Sequence, residues 1–148
     1  MTQITFHSEG NRIIGFDSQG HSGYAEEGED IVCAAITSAI RLVDATINDV
    51  LGLAASVKIR ESDATISFRL PGSLGPTAES ACQALLTGLM VYFTELHEEY
   101  PENIEVLEED LSFSPSKHST ERMVRYHDSY WSSVLRPQEG RRLHQERP

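Results

Sequence analysis

The stretch from Asp30 to Leu51 constrains this chain more than any other. Val32, Ile36, Ala39, Ile40, Val43, Ile47, Val50 and Leu51 recur at helical spacing, and near the start apolar residues occupy more than one face. A helix apolar beyond a single stripe needs cover on several sides, so the spacing predicts a central helix around which the fold is built. Glu29 or Asp30 is placed to cap its start, and Gly52 to stop it.

Paired strands flank this helix. Thr2 to His7 alternates, with Ile4 and Phe6 to one side and Thr5 and His7 to the other. "SEGN" supplies turn residues, and "RIIGFD" from Arg12 completes a β-hairpin. Downstream, "ASVKIRESDATISFRL" gives two alternating runs around "ESD", a second hairpin. "PGSLGPT" breaks the chain before a second long helix, Ala78 to Tyr100, with Ala81, Leu85, Leu89, Phe93 and Leu96 on one face and Pro101 at its end. "NIEVLEEDL" closes as a strand, Ile104 and Val106 pointing inward. The order ββαββαβ predicts an α+β fold, one mixed sheet with two long helices packed on it.

Charge divides the chain. Residues 1–113 hold 5 Lys and Arg against 19 Asp and Glu, whereas residues 114–148 hold 7 against 4. The expected organisation is therefore one acidic domain over 1–113 and a basic C-terminal extension over 114–148. Within the extension, residues 121–135 set Met123, Tyr126 or His127, Tyr130, Trp131, Val134 and Leu135 along one helical side, and "RPQEGRRLHQERP" reads as disordered. The extension is either an amphipathic helix that docks or a loosely ordered tail. A net charge of -11 argues against non-specific binding to nucleic acid or membrane. There is no uninterrupted apolar run of about 18 residues and no basic-then-apolar start, so neither a transmembrane helix nor a secretory signal is expected. Cys33 and Cys82 are the two cysteines, expected as reduced thiols in the cytoplasm.

Chemistry concentrates in "GHSGYAEEGEDIVCAA", Gly20 to Ala35. Cys33 stands at the start of the central helix, where unpaired N–H groups and the helix dipole favour a thiolate, against the opposing influence of Glu26, Glu27, Glu29 and Asp30. His21 lies on a glycine-rich loop able to fold back, and a Cys–His pair is the minimum arrangement for a thiol nucleophile with a general acid/base. By spacing alone, a buried structural cysteine and a solvated histidine are the favoured reading. Cys82 reads as core packing. His7 with Cys33 and His21 has no recognised metal-ligand spacing.

"GHSGY", Gly28 and "DIVCAAI", with "LLTGLMVYFTELHEEYPENIEV" further on, resemble the bacterial ribosomal-processing cysteine protease (Prp) family over roughly residues 2–110. The resemblance implies a cytoplasmic homodimeric cysteine endopeptidase that removes the N-terminal extension of large-subunit ribosomal protein twenty-seven. It implies no cofactor and no metal. The family's nucleophile falls on Cys33, its histidine on His21, its aspartate on Asp30, and its substrate loop on Gly20, Ser22, Gly23 and Gly28. Asp30 then has open readings as helix cap, orienter of His21, or both. Thr37, one turn beyond Cys33, either supports the site or bonds back to its own helix. Backbone N–H groups around Val32 to Ala34 are the expected oxyanion donors. Glu98, Glu99, Glu105, Glu108, Glu109 and Asp110 read as a solvated face or as a receiver for a basic substrate. The expected partner is a ribosomal protein precursor, with no direct nucleic-acid contact and no membrane. The competing readings are a noncatalytic ribosome-associated module with Cys33 buried, and a thiol redox switch, for which no resolving cysteine is in view.

Overall fold

The computed structural model describes residues 1–20 and 29–112, and the first compact unit runs from Met1 to Ser112. The expectations for residues 114–148, including the amphipathic helix at 121–135, fall outside the described residues. Strands β1 (Thr2–Glu9) and β2 (Arg12–Gln19) precede helix α1 (Glu29–Asp44), which runs on as a wide π turn over Ala45–Val50. Strands β3 (Ser56–Arg60) and β4 (Thr65–Arg69) precede helix α2 (Pro76–Glu99), and β5 (Ile104–Asp110) closes the order. The sheet order is β3-β4-β2-β1-β5, with β1 and β5 parallel and the other neighbours antiparallel. This is the expected α+β arrangement, one mixed sheet with two helices.

Strand alternation explains the core. Phe6, Phe16 and Phe68 stand opposite one another across β1, β2 and β4, and all three are fully or almost fully buried. Phe16 and Phe68 stack with ring centroids 5.3 Å apart, and Phe93 of α2 closes on Phe6 at 6.3 Å. Ile4 and Ile104 extend the buried face. Rings of this size remove large apolar areas from water and supply much of the stabilisation of a small domain.

The helices depart from the expected stripes. In α1, Val32, Ile36, Ile40, Val43 and Ile47 are buried as expected, but Val50 is 77% exposed and Leu51 also faces solvent. The π turn is the cause, because each residue there advances less than in an α-helix and the stripe loses phase. The Leu51 N–H donates to the Thr46 carbonyl in the wide spacing, and the Thr46 hydroxyl donates to the Leu42 carbonyl at 2.7 Å. Gly52 then leaves the helix at φ +64°. In α2 the buried set is Cys82, Leu86, Leu89, Met90, Phe93 and Leu96. Ala81 and Leu85 are half-buried, so the early part of the stripe lies one residue later than expected. The stretch Ile31–Val50 is long and apolar enough to cross a membrane by length and composition, with mean hydropathy 1.5. No such helix was expected; here its buried residues close the core, while Arg41, Asp44 and Asp49 interrupt it.

The opposite face of the sheet carries polar residues. His7 is buried there, and its Nε2 lies 2.8 Å from Asp17 Oδ2. Arg69 donates to both Asp17 oxygens at 3.0 and 3.1 Å. Burial alone would raise the Asp17 pKa, but hydrogen bonds from Arg69, His7 and Ser67 prevail and hold it at about 2. Gly15 makes room for this clamp. A Cβ there would stand 2.0 Å from the Phe68 carbonyl oxygen and 2.9 Å from Arg69 Cδ.

Candidate active site

Cys33 is the fifth residue of α1, one residue past the first turn rather than within it. In a helix starting at Glu29, the N–H groups of Cys33 and Ala34 bond back to the carbonyls of Glu29 and Asp30. The donors with no partner inside the helix therefore lie earlier, in Glu29 to Ile31, and not across Val32 to Ala34 as the sequence suggested. Asp30 is the second residue of the helix, so its backbone lies in the first turn.

The Cys33 side chain is half-buried and lines a cleft of about 330 Å³. Ile36 and Thr37 stand beside it on α1, one exposed turn along in the case of Thr37. Thr2, Ser18 and Gly20 bring the ends of the first hairpin to the cleft, and Ile59, Arg60, Glu61, Ala64, Thr65 and Ile66 form its far wall. That wall is the turn between β3 and β4, which sequence reading did not connect with the site. A weak signal was available: alternation in "SVKIR" puts Ile59 on the same side as Val57, towards the helices. Ala64 holds the turn at φ 50°, a conformation that costs a side-chain-bearing residue energy.

Gly20 is the last described residue before the loop. Its φ of +92° suits glycine, and a Cβ there would lie 2.9 Å from the Met1 carbonyl oxygen. The Thr2 hydroxyl donates to the Gly20 carbonyl at 3.4 Å. His21, Ser22, Gly23 and Gly28 lie outside the described residues, so the structure places Cys33, Thr37 and Gly20 together and leaves His21 out of account.

Other chemistry-bearing residues are elsewhere. Cys82 is fully buried in α2, and burial together with Glu79 raises its thiol pKa. His7 lies on the sheet face opposite the helices, away from Cys33, and among the described residues no group of three His, Cys, Asp or Glu side chains is arranged for a metal ion. The acidic residues expected to form one face are divided. Glu105 and Glu109 sit at the register positions of Gln3 and His7 on the open side, whereas Glu108 and Asp110 alternate to the helix side. Glu108 has its carboxyl pushed up by burial and by neighbouring Asp110.

Residues 1–105 match the family Cysteine protease Prp. The chain belongs to this family. It is 33% identical to the ribosomal processing cysteine protease Prp of Bacillus subtilis over 110 residues, 72% of this chain and 96% of that protein. Its fold is that of the essential ribosomal processing protease Prp from S. aureus, a structure solved in complex with a substrate peptide. There the TM-score is 0.64 at 19% identity, over 74% of this chain and all of that one. The SMU.848 protein of Streptococcus mutans has the same fold, with a TM-score of 0.65 at 23% identity over 74% of this chain and 95% of that one.

Proposed function

We propose that this Prp family member is a cytoplasmic cysteine endopeptidase that removes the N-terminal extension of large-subunit ribosomal protein twenty-seven during ribosome maturation. The observation that carries this reading is Cys33, half-buried at the wall of a cleft shared with Thr37 and Gly20, in a chain matching the family over residues 1–105. A cysteine kept only for packing would be enclosed as Cys82 is.

The chemistry follows from a Cys33–His21 pair. His21 takes the thiol proton, and the Cys33 sulfur attacks the scissile carbonyl carbon. The tetrahedral intermediate collapses to a thioester as the C–N bond breaks and His21 returns the proton to the leaving amine. Water, deprotonated by His21, then attacks the thioester and releases the new carboxylate with Cys33 as thiol. The N–H groups of Glu29 to Ile31, which have no partner within the helix, serve as the oxyanion donors in this reading. Asp30 serves the helix start, orients His21, or both.

The working form in this reading is a homodimer. Ile31 and Leu42 are 60% and 65% exposed on α1, and Ala34 and Ser38 lie exposed between them at helical spacing. Small residues between two large apolar ones let a second helix approach closely. The partner is the precursor of a basic ribosomal protein, and the acidic body speeds their encounter by long-range attraction.

The test is cleavage of a peptide spanning the extension and the first mature residues. Wild-type chain cuts it at one bond, and Cys33→Ala does not while keeping its circular dichroism spectrum. Retained cleavage by Cys33→Ala would remove Cys33 from the mechanism. His21→Ala lowers kcat far more than it raises KM, and equal effects on both would argue for binding instead.

A further inference from the structure

The cleft beside Cys33 has room for a side chain or two but not for a peptide backbone several residues long. The backbone of any extended chain cut there must run along one of the cleft walls. One wall is α1, whose mid-helix N–H and C=O groups are bonded within the helix. A second is formed by the ends of β1 and β2, interior strands already paired on both sides. The third is β3 and its turn. Among the described residues β3 is an outermost strand of the sheet, paired with β4 on one side. An outer strand presents unpaired N–H and C=O groups at alternate residues, ready for another strand.

β3 is short and carries Lys58 and Arg60, which discourage uncontrolled pairing, but it contains no proline and its register with β4 runs in step from Ser56↔Arg69 to Arg60↔Thr65, so its outer edge is open to a strand of the right sequence. Ser56, Lys58, Ile59 and Arg60 are exposed and Val57 half-buried. Ile59 is 67% exposed, yet it lines the cleft together with Cys33, Ile36 and Ile66. Among the described residues, this exposed apolar side chain is left at the cleft mouth where a second apolar group would cover it. The opposite edge, β5, lies four strands away and carries the acidic row Glu105 and Glu109 on its open side.

We infer that β3, Ser56–Arg60, receives the substrate as an added strand. An extended peptide pairs its backbone with the outer edge of β3, lays one apolar side chain over Ile59 into the cleft, and so carries the next peptide bond past Cys33. This rests on the endopeptidase reading and assigns its substrate track. Ile59 is a positioning residue, acting through the strand's seat rather than on the reacting atoms.

Three measurements test it on the full chain. In the first, the cleavable peptide is N-methylated at one backbone amide at a time, away from the scissile bond. Strand pairing predicts a loss of about five- to tenfold in kcat/KM at every second amide on the side of the peptide that lies along β3, with little change between. In the second, amide hydrogen exchange is followed by NMR in Cys33→Ala, with Cys33→Ser as the alternative background. Saturating peptide slows exchange at alternate residues of Ser56–Arg60 and leaves Ile104–Asp110 unchanged. Ile59→Ser raises KM severalfold with kcat held, and Ile59→Val restores it.

Wild-type cleavage without any change in β3 exchange would overturn the inference and leave the endopeptidase reading intact. So would β3 amides already slow in the free chain, since a second copy or residues 113–148 would then hold the edge. Absence of cleavage by the wild-type chain would bring down both together.

Discussion

The two ends of the sheet are built for different purposes. At the β5 end, α2 lies over the sheet with six buried side chains, and its Phe93 completes the aromatic row begun by Phe6, Phe16 and Phe68. At the β3 end, α1 buries one stripe but leaves Ile31, Leu42 and Val50 in solvent, ends in a π turn, and shares a cleft with an outer strand carrying exposed Ile59. The difference is one of degree: at the β5 end Tyr92, Leu107 and Leu111 are 38–48% exposed, whereas Ile31, Leu42, Val50 and Ile59 at the other are 60–77% exposed. Exposed apolar groups cost solubility, so Ile59 at the cleft with the half-buried thiol, and Ile31 and Leu42 on the outer face of α1, are the positions at which contact with other molecules is tested.

The sharpest way to break this comparison is one substitution at each end. Cys33→Ala at the β3 end lowers peptide cleavage by roughly four orders of magnitude or more, since loss of a nucleophile removes the covalent route. Its unfolding free energy from denaturant titration stays within about 0.5 kcal/mol of wild type, the usual range away from packed positions. Phe93→Ala at the β5 end costs about 3–5 kcal/mol, because a fully buried ring leaves a cavity the sheet cannot fill. The fraction still folded cleaves at the wild-type rate. A large stability loss in Cys33→Ala, or a catalytic loss in folded Phe93→Ala, would erase the division. Next in size is Leu42→Glu on the outer face of α1. Under the proposed dimer it weakens self-association at least tenfold by sedimentation and leaves monomer stability unchanged; unaltered self-association would remove this face from the interface.

The sequence reading carried most of the fold, because strand alternation and helical spacing are local signals. Phe6, Phe16 and Phe68 fall on inward positions of their strands by parity alone. The π turn was not legible, since "ATINDV" continues the helical spacing and only the Thr46 and Leu51 bonds reveal the lost phase. The one-residue shift in early α2 has a similar origin: Cys82 and Ala81 are both small enough for either face. At the site, Cys33 and Thr37 are legible because they lie on one helix, one turn apart. Ile59 and Ala64 are not, because their place opposite Cys33 depends on how the second hairpin pairs with β2 through β4. The clamp of His7, Asp17 and Arg69 joins three strands and leaves no local trace for the same reason.

That clamp ties the two ends together across β1, β2 and β4, and acid should loosen it. Asp17 titrates at about 2 against an ordinary 3.8, so the folded chain binds its proton less readily than the unfolded one. Its contribution is complete above about pH 4, declines as pH falls, and is gone below about pH 2. With Asp17 about a third exposed, screening limits the contribution to about 1–2 kcal/mol. Asp17→Asn is therefore less stable than wild type by that amount at pH 7, and the gap closes as the pH is lowered through this window. A gap that persists at pH 2 would show that Asp17 acts through shape and not charge.

The smallest effect is expected at Glu108 on β5, and it has the opposite sign. Burial, with Asp110 beside it, raises the Glu108 carboxyl above its ordinary 4.5. The folded chain then holds this proton more tightly than the unfolded chain does. Stability is greatest below pH 4.5 and declines as pH rises through the folded value, so at neutral pH the charged form is a cost. Glu108→Gln keeps the shape and removes the charge. It should raise the unfolding free energy at pH 7 by less than about 1 kcal/mol, and the gain should vanish at about pH 4, where wild type is protonated as well. The substitution lies on the strand farthest from the cleft, so peptide cleavage should not change. A stabilised variant with altered cleavage would mean that the packed end reaches the working end through the sheet, and that the two are less separate than their side chains indicate.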